Sequence, residues 1–194
     1  MNMFVRFACV AAVLLGPPCT ALAGGAIQGR VDYKTPRWVR DTVVYLEQVP
    51  GDWKPEPATM DQKGSTFVPK FLPVIKGSTV TFINSDPTDH NVYTPDHEGY
   101  DLGTKGKGEK LDHKFEELGV YTQLCKLHPT MIGYVMVLQN PFYAVSDKEG
   151  NFSIEGIPPG KYTLTIWHER YKADPLEVEV ADSGVAEVTV ELHR

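Results

Sequence analysis

Cysteine is scarce in this sequence, which has three in 194 residues: Cys9, Cys19 and Cys125. That count excludes a scaffold stapled by several disulfides, and no Cys-x-x-Cys pair offers the spacing of a structural zinc site. An excess of positive charge is missing too. Nineteen Lys and Arg stand against 25 Asp and Glu, a formal net charge of -6 with no long run of either sign. The basic footprint by which proteins hold nucleic acid is therefore absent, and an acidic chain suits a basic partner better. No apolar run reaches the roughly 20 residues that a membrane-spanning helix needs, and no window of about 11 residues carries apolar positions at helical spacing. What is present is 42% apolar and 23% charged residues, the composition of a globular protein of one ordinary domain or two small ones.

The N-terminus takes two of the three cysteines out of consideration. MNMFVR carries one positive charge, FACVAAVLLG supplies a short apolar core, and Ala21-Leu22-Ala23 before Gly24 fits a small-residue cleavage site. Residues 1–23 read as a secretory signal peptide, cleaved near Ala23 to leave a periplasmic or secreted chain. A lipid anchor at Cys19 is the rival reading, and the prolines at 17 and 18 speak against it. Cleavage leaves Cys125 as the one thiol of a chain in an oxidising compartment.

From Gly24 onward, segments rich in Val, Tyr, Phe, Thr and Ile alternate apolar with polar residues and end at Gly, Pro, Asn or Asp. The expected fold class is all-β. Strands are expected at 27–33, 42–48, 78–84, 90–94, 110–115, 119–125, 131–138, 142–146, 152–155, 162–168, 176–180 and 186–192. Many short strands between turn clusters read as one or two β-sandwiches.

The turn signals divide the chain in two. After Asn140-Pro141 comes YAVSDKEGNFSIEGIPPGKYTLTIWHERY, with tight connections at Asp147-Lys148-Glu149-Gly150 and Pro158-Pro159-Gly160. This stretch resembles the carboxypeptidase regulatory-like family of small, prealbumin-like β-sandwiches, and Ile27-Gln28-Gly29-Arg30-Val31 and Thr42-Val43-Val44-Tyr45-Leu46 resemble that family's opening strands. The resemblance implies a support or contact module with no chemistry of its own. It would be split into residues 24–48 and 141–194, with 49–140 inserted between its second and third strands.

The remaining cysteine lies in GVYTQLCKLHPTMIGYVMVL, where Cys-x-x-His-x-x-Met forms one loop between two strands. Thirty-five residues upstream, VTFINSDPTDHNVY places His90 at the start of a strand after a polar turn. Two imidazoles, a thiolate and a thioether form the donor set of a blue-copper site, His2Cys in a trigonal plane with a weak axial Met. Soft and borderline donors of this kind hold both Cu(I) and Cu(II), so one electron can pass with little rearrangement.

The stretch from about Phe67 to Leu138 resembles the cupredoxin family, whose members include plastocyanin and amicyanin. FVPKFLPVIKGSTVTFINSDPTDHNV is similar to the family's approach to its first ligand, and Cys-x-x-His-Pro-x-Met to its short ligand loop. The resemblance implies a Greek-key β-sandwich holding one mononuclear copper ion, with His90, Cys125, His128 and Met131 as ligands and Asn91 behind them. Leu127 departs from the proline of several relatives and keeps its N–H. The expectation is that this N–H and that of Asn91 both bond the Cys125 sulfur and raise the reduction potential.

His97, His113, His168 and His193 fall outside this set, with His97 the one candidate for a place near the metal end. GTKGKGEK lacks the Gly-Lys-Ser/Thr ending of a phosphate loop and reads as a flexible turn. The function expected is single-electron transfer between redox partners, a c-type cytochrome or a periplasmic dehydrogenase among the candidates, without enzymatic bond chemistry. Copper delivery or storage uses the same donors and is the alternative. A His-activated cysteine nucleophile lacks a helix N-terminus and an oxyanion hole.

Overall fold

A computed structural model describes residues 24–35 and 38–194. The expected signal peptide lies outside the described residues. Among those described there are sixteen strands, and no helix is long and apolar enough to cross a membrane. In chain order the strands are β1 Gly25–Asp32, β2 Val43–Leu46, β3 Ala58–Gln62, β4 Phe67–Val68, β5 Phe71–Ile75, β6 Thr79–Asn84, β7 His90–Thr94 and β8 Tyr100–Lys105. There follow β9 Lys110–Lys114, β10 Gly119–Leu124, β11 Ile132–Leu138, β12 Tyr143–Val145, β13 Asn151–Ile157, β14 Gly160–Trp167, β15 Leu176–Val180 and β16 Val185–Glu191.

The period-two alternation of the sequence sorts these strands into two packed pairs of sheets. A five-stranded sheet, β5-β11-β10-β7-β8, and a four-stranded sheet, β4-β3-β6-β9, enclose a core that includes Met60, Phe82, Val92, Phe115, Tyr121 and Val135. A three-stranded sheet, β13-β1-β16, and a four-stranded one, β12-β2-β14-β15, enclose another core with Ile27, Val31, Leu46, Ile154, Ile157 and Leu164. Both are β-sandwiches.

Two strands are buried on both faces because the sandwiches abut there. In β11, Val135 and Val137 enter the first core, while Tyr134 and Met136 point the other way. In β2, Val44 and Leu46 enter the second core and leave Val43 and Tyr45 on the opposite face. Val43, Phe71 and Met136 are buried together at this contact, flanked by Tyr134 and Trp167. The rings of Phe71 and Tyr134 stack at 5.4 Å, and Trp167 meets Tyr134 edge-on at 4.8 Å.

The twelve expected strands all form, with ends displaced by two residues at most. Four others, β3, β4, β5 and β8, were not expected. Ala58-Thr59-Met60-Asp61-Gln62 has one β-branched residue, and β4 is two residues long. β5 contains Pro73, and β8 contains Gly103 and two charged residues. Both β5 and β8 are edge strands, where a missing N–H or side chain is tolerated because one side of the strand pairs with nothing.

Candidate metal centre

His90 is the first residue of β7, and the turn before it is shaped by side chains. Asn84, ending β6, accepts the N–H of Asp86 at 2.9 Å and donates to the carbonyls of Thr88 and Lys105 at 2.8 and 2.9 Å. The Asp86 carboxylate receives the N–H groups of Gly64 and Ser65, at 2.7 and 2.8 Å, and stands 2.8 Å from Nε2 of His90. The Ser65 N–H, joined by those of Gly64 and His90, holds this carboxyl at about 2 despite its burial. An ionised carboxylate only accepts, so Nε2 of His90 carries the proton and Nδ1 presents a lone pair.

That lone pair faces two further donors. Nδ1 of His90 is 3.0 Å from Nδ1 of His128 and 4.0 Å from Sγ of Cys125, and Sγ is 3.8 Å from Nδ1 of His128. All three donor atoms lie within 4.8 Å of one another. Cys125 and His90 are buried and His128 half-buried, so the His128 ring is the one that reaches solvent. The Met131 N–H donates to the carbonyl of His128 at 2.9 Å, closing the loop, and the Met131 side chain is fully buried in the same core cluster as Cys125.

Asn91 ties the segments carrying His90 and Cys125 together. Its N–H donates to Cys125 Sγ at 3.3 Å, its Oδ1 accepts the Lys126 N–H at 3.3 Å, and its Nδ2 donates to Asp101 at 2.8 Å. Asp101 also pairs with Lys126 at 2.5 Å, which holds its carboxyl at about 2 and raises the Lys126 ammonium. Gln62 from β3 donates to the Asn91 carbonyl at 3.1 Å. The expected pair of N–H donors to the sulfur is reduced to one: Leu127 is 51% exposed and its N–H makes no bond to Sγ. The loop turns outward there.

The other histidines are elsewhere. His97 lies beyond the far end of β7, its ring tilted against Tyr121 at 4.5 Å and close to Gly119, so it is not at the metal end. His113 packs 3.9 Å from Tyr100, and burial lowers its pKa. Nδ1 of His168 accepts the N–H groups of Arg170 and Tyr171, and burial lowers its pKa too. His193 stands 3.8 Å from the exposed Asp174. Asp86 and Asp101 were missed in the sequence, although Asn-x-Asp before His-Asn is the phrase in which Asp86 sits.

A thiol and two imidazoles converging in a largely buried pocket match the preference of copper for soft and borderline donors. The carboxylate behind His90 is the usual partner of a metal-ligating imidazole. The residues present fit one copper ion.

Comparison with known proteins agrees with this chemistry. Residues 57–138 match the family of copper binding proteins, plastocyanin/azurin family, and residues 134–193 match the carboxypeptidase regulatory-like domain. Among solved structures, a purple cupredoxin from Nitrosopumilus maritimus is 29% identical, with 41% of this chain and 98% of that chain covered, at a TM-score of 0.38. A reduced W45Y mutant of amicyanin is also 29% identical, with 41% of this chain and 79% of that one covered, at a TM-score of 0.39. A copper-containing nitrite reductase from Thermus scotoductus SA-01 is 24% identical over 58% of this chain and 28% of that one, at a TM-score of 0.42. No curated protein matches the chain. One segment of the chain thus matches the plastocyanin/azurin copper-binding family and a second matches the carboxypeptidase regulatory-like domain, and copper is the cofactor that the His90, Cys125 and His128 donor set fits.

Proposed function

We propose that this protein is an exported carrier of single electrons, in which His90, Cys125 and His128 would be the principal residues holding copper and Met131 a fourth, weaker donor. The observation that carries the proposal is the convergence of a buried thiol and two imidazoles within 4.8 Å, one of them fixed from behind by Asp86. When bound, copper supplies a one-electron couple between Cu(I) and Cu(II). The protein does the rest. Asp86 fixes the tautomer and direction of His90. The Asn91 N–H withdraws electron density from the Cys125 sulfur. The apolar core around Met131 keeps water away, and the half-buried His128 ring offers the path to a partner. With four protein ligands no coordination position is left for a substrate, so we assign no enzymatic bond chemistry.

The second sandwich is read as a split support for the first. Strands β1 and β2 share sheets with β12 to β16 and not with β3 to β11, which supports a discontinuous unit of residues 24–48 and 141–194 around a copper-binding unit of 49–140. The signal-like N-terminus supports a periplasmic or extracellular location for this carrier, and its partner would be another redox protein.

The test is to load the protein with copper and cycle it between oxidised and reduced states in the presence of a Cu(I) chelator. A carrier keeps one copper per chain through many cycles and regains its visible colour each time. Loss of Cu(I) to the chelator in the first cycle identifies copper delivery instead.

A further inference from the structure

The net charge of the chain alone points to a basic partner, but the end that holds the metal site points the other way. Four loops meet there: 63–66, 85–89, 105–110 and 125–131. They are joined by the Asp86 bonds to Gly64 and Ser65 and by Asn84, whose side chain reaches the Lys105 carbonyl and whose own carbonyl accepts the Gly108 N–H at 2.6 Å. In the ladder, His90 pairs directly with Lys105.

These loops carry five lysines: Lys63, Lys105, Lys107, Lys110 and Lys126. Lys63, Lys107 and Lys110 are exposed and Lys105 half-buried, and none of these four takes part in an ion pair. Lys126 is committed to Asp101. The carboxylates on the same loops are three. Asp86 is buried against His90, Glu109 accepts the Gly106 N–H at 2.7 Å, and Asp89 lies close to Gly106. The far end of the same sandwich has the reverse balance, with Asp96, Glu98, Glu116 and Glu117 near Gly119 and Tyr121, and Lys114 paired with Glu116.

We infer that the turns carrying Lys63, Lys105, Lys107 and Lys110 form a docking surface for the acidic face of a redox partner. This rests on the electron-carrier reading. A field of local sign opposite to the net charge would orient the molecule, so that the end bearing His128 meets the partner first.

The test uses two anionic probes. On the metal-free protein, redox-inert paramagnetic hexacyanochromate(III) is expected to broaden the amide signals of Gly64, Gly106 and Gly108, and to lose that effect in a Lys105→Gln, Lys107→Gln, Lys110→Gln triple variant. Broadening confined to other regions, or none, overturns the docking surface. On the reduced copper-loaded protein, hexacyanoferrate(III) accepts one electron and becomes hexacyanoferrate(II), with no proton transferred. Its rate is expected to fall about three- to tenfold as ionic strength rises from about 0.01 to 0.2 M. The triple variant should lose most of that dependence, and a Lys148→Gln, Lys161→Gln control should keep it. A rate that rises with salt, or a triple variant identical to wild type, overturns the inference and leaves the carrier reading standing. Absence of any copper-dependent oxidation overturns both.

Discussion

The carboxylate of Asp86 accepts the Nε2–H of His90 at 2.8 Å while two backbone N–H groups hold it from the other side. His90 is thereby tied to the 63–66 turn through one side chain, and these hydrogen bonds aim its Nδ1 at Cys125 and His128. With the proposed ligand set, His90 would need little ordering to bind copper, and the Asp86 negative charge would sit one imidazole away from the ion.

Asp86→Asn should weaken the site through that charge. Removing the partner of a metal-ligating imidazole costs roughly ten- to a hundredfold in metal affinity. A tenfold loss falling on Cu(II) alone raises the reduction potential by about 59 mV. Potentiometry of the wild type and variant checks this, and an unchanged or lower potential would contradict the role given to Asp86.

The same residue should write a signature into the acid stability of the metal-free protein. Asp86 ionises at about 2 in the fold, below the ~3.9 of an unfolded aspartate. A depressed value means its contribution is fully present above about pH 4 and is lost as the pH falls through about 2. The denaturation midpoints of wild type and Asp86→Asn should therefore differ most near neutral pH and converge below about pH 4. Equal separation at all pH values would mean that the carboxylate charge is not what holds the turn.

Asn91→Ala keeps the backbone N–H that reaches Cys125 Sγ but deletes the side-chain bonds to Lys126 and Asp101. The Lys126 N–H is left without its acceptor at the start of the ligand loop. Unfolding of the metal-free variant should show a loss of about 1–3 kcal/mol, and the loaded variant should release copper faster. Unchanged stability would show that the loop is held by other contacts.

The convergence of Cys125 and His128 was readable in part because they stand three residues apart in one loop between strands. His90 was readable from its place between a polar turn and a strand. Asp86 was not, because its importance depends on Gly64 and Ser65, more than twenty residues away, reaching the same carboxylate. Strands of strong alternation such as β6 and β16 were legible, whereas edge strands β5 and β8 were hidden by Pro73 and Gly103. The Leu127 expectation failed because an N–H in a loop has no direction until the loop is folded. The packing of Trp167 on Tyr134 likewise joins faces that each strand's alternation shows only as apolar.

Trp167 tests how firmly the two sandwiches are coupled. Its ring lies 4.8 Å from Tyr134 and 5.7 Å from Phe71, across the contact. Trp167→Ala should cost about 2 kcal/mol or more. Calorimetry should then show two separated transitions where the wild type shows one, with the copper-binding unit retaining its metal spectrum after the first. A single undivided transition in the variant would mean that the contact is held chiefly by Phe71, Met136 and Val43.

The most direct test of the copper assignment is titration of the metal-free protein with Cu(II), followed by visible absorption and electron paramagnetic resonance, beside a Cys125→Ser control. The account predicts an intense thiolate-to-copper absorption band that saturates at one copper per chain and is missing from Cys125→Ser. A wild type that binds copper without that band, or a Cys125→Ser protein with the same spectrum, would contradict it.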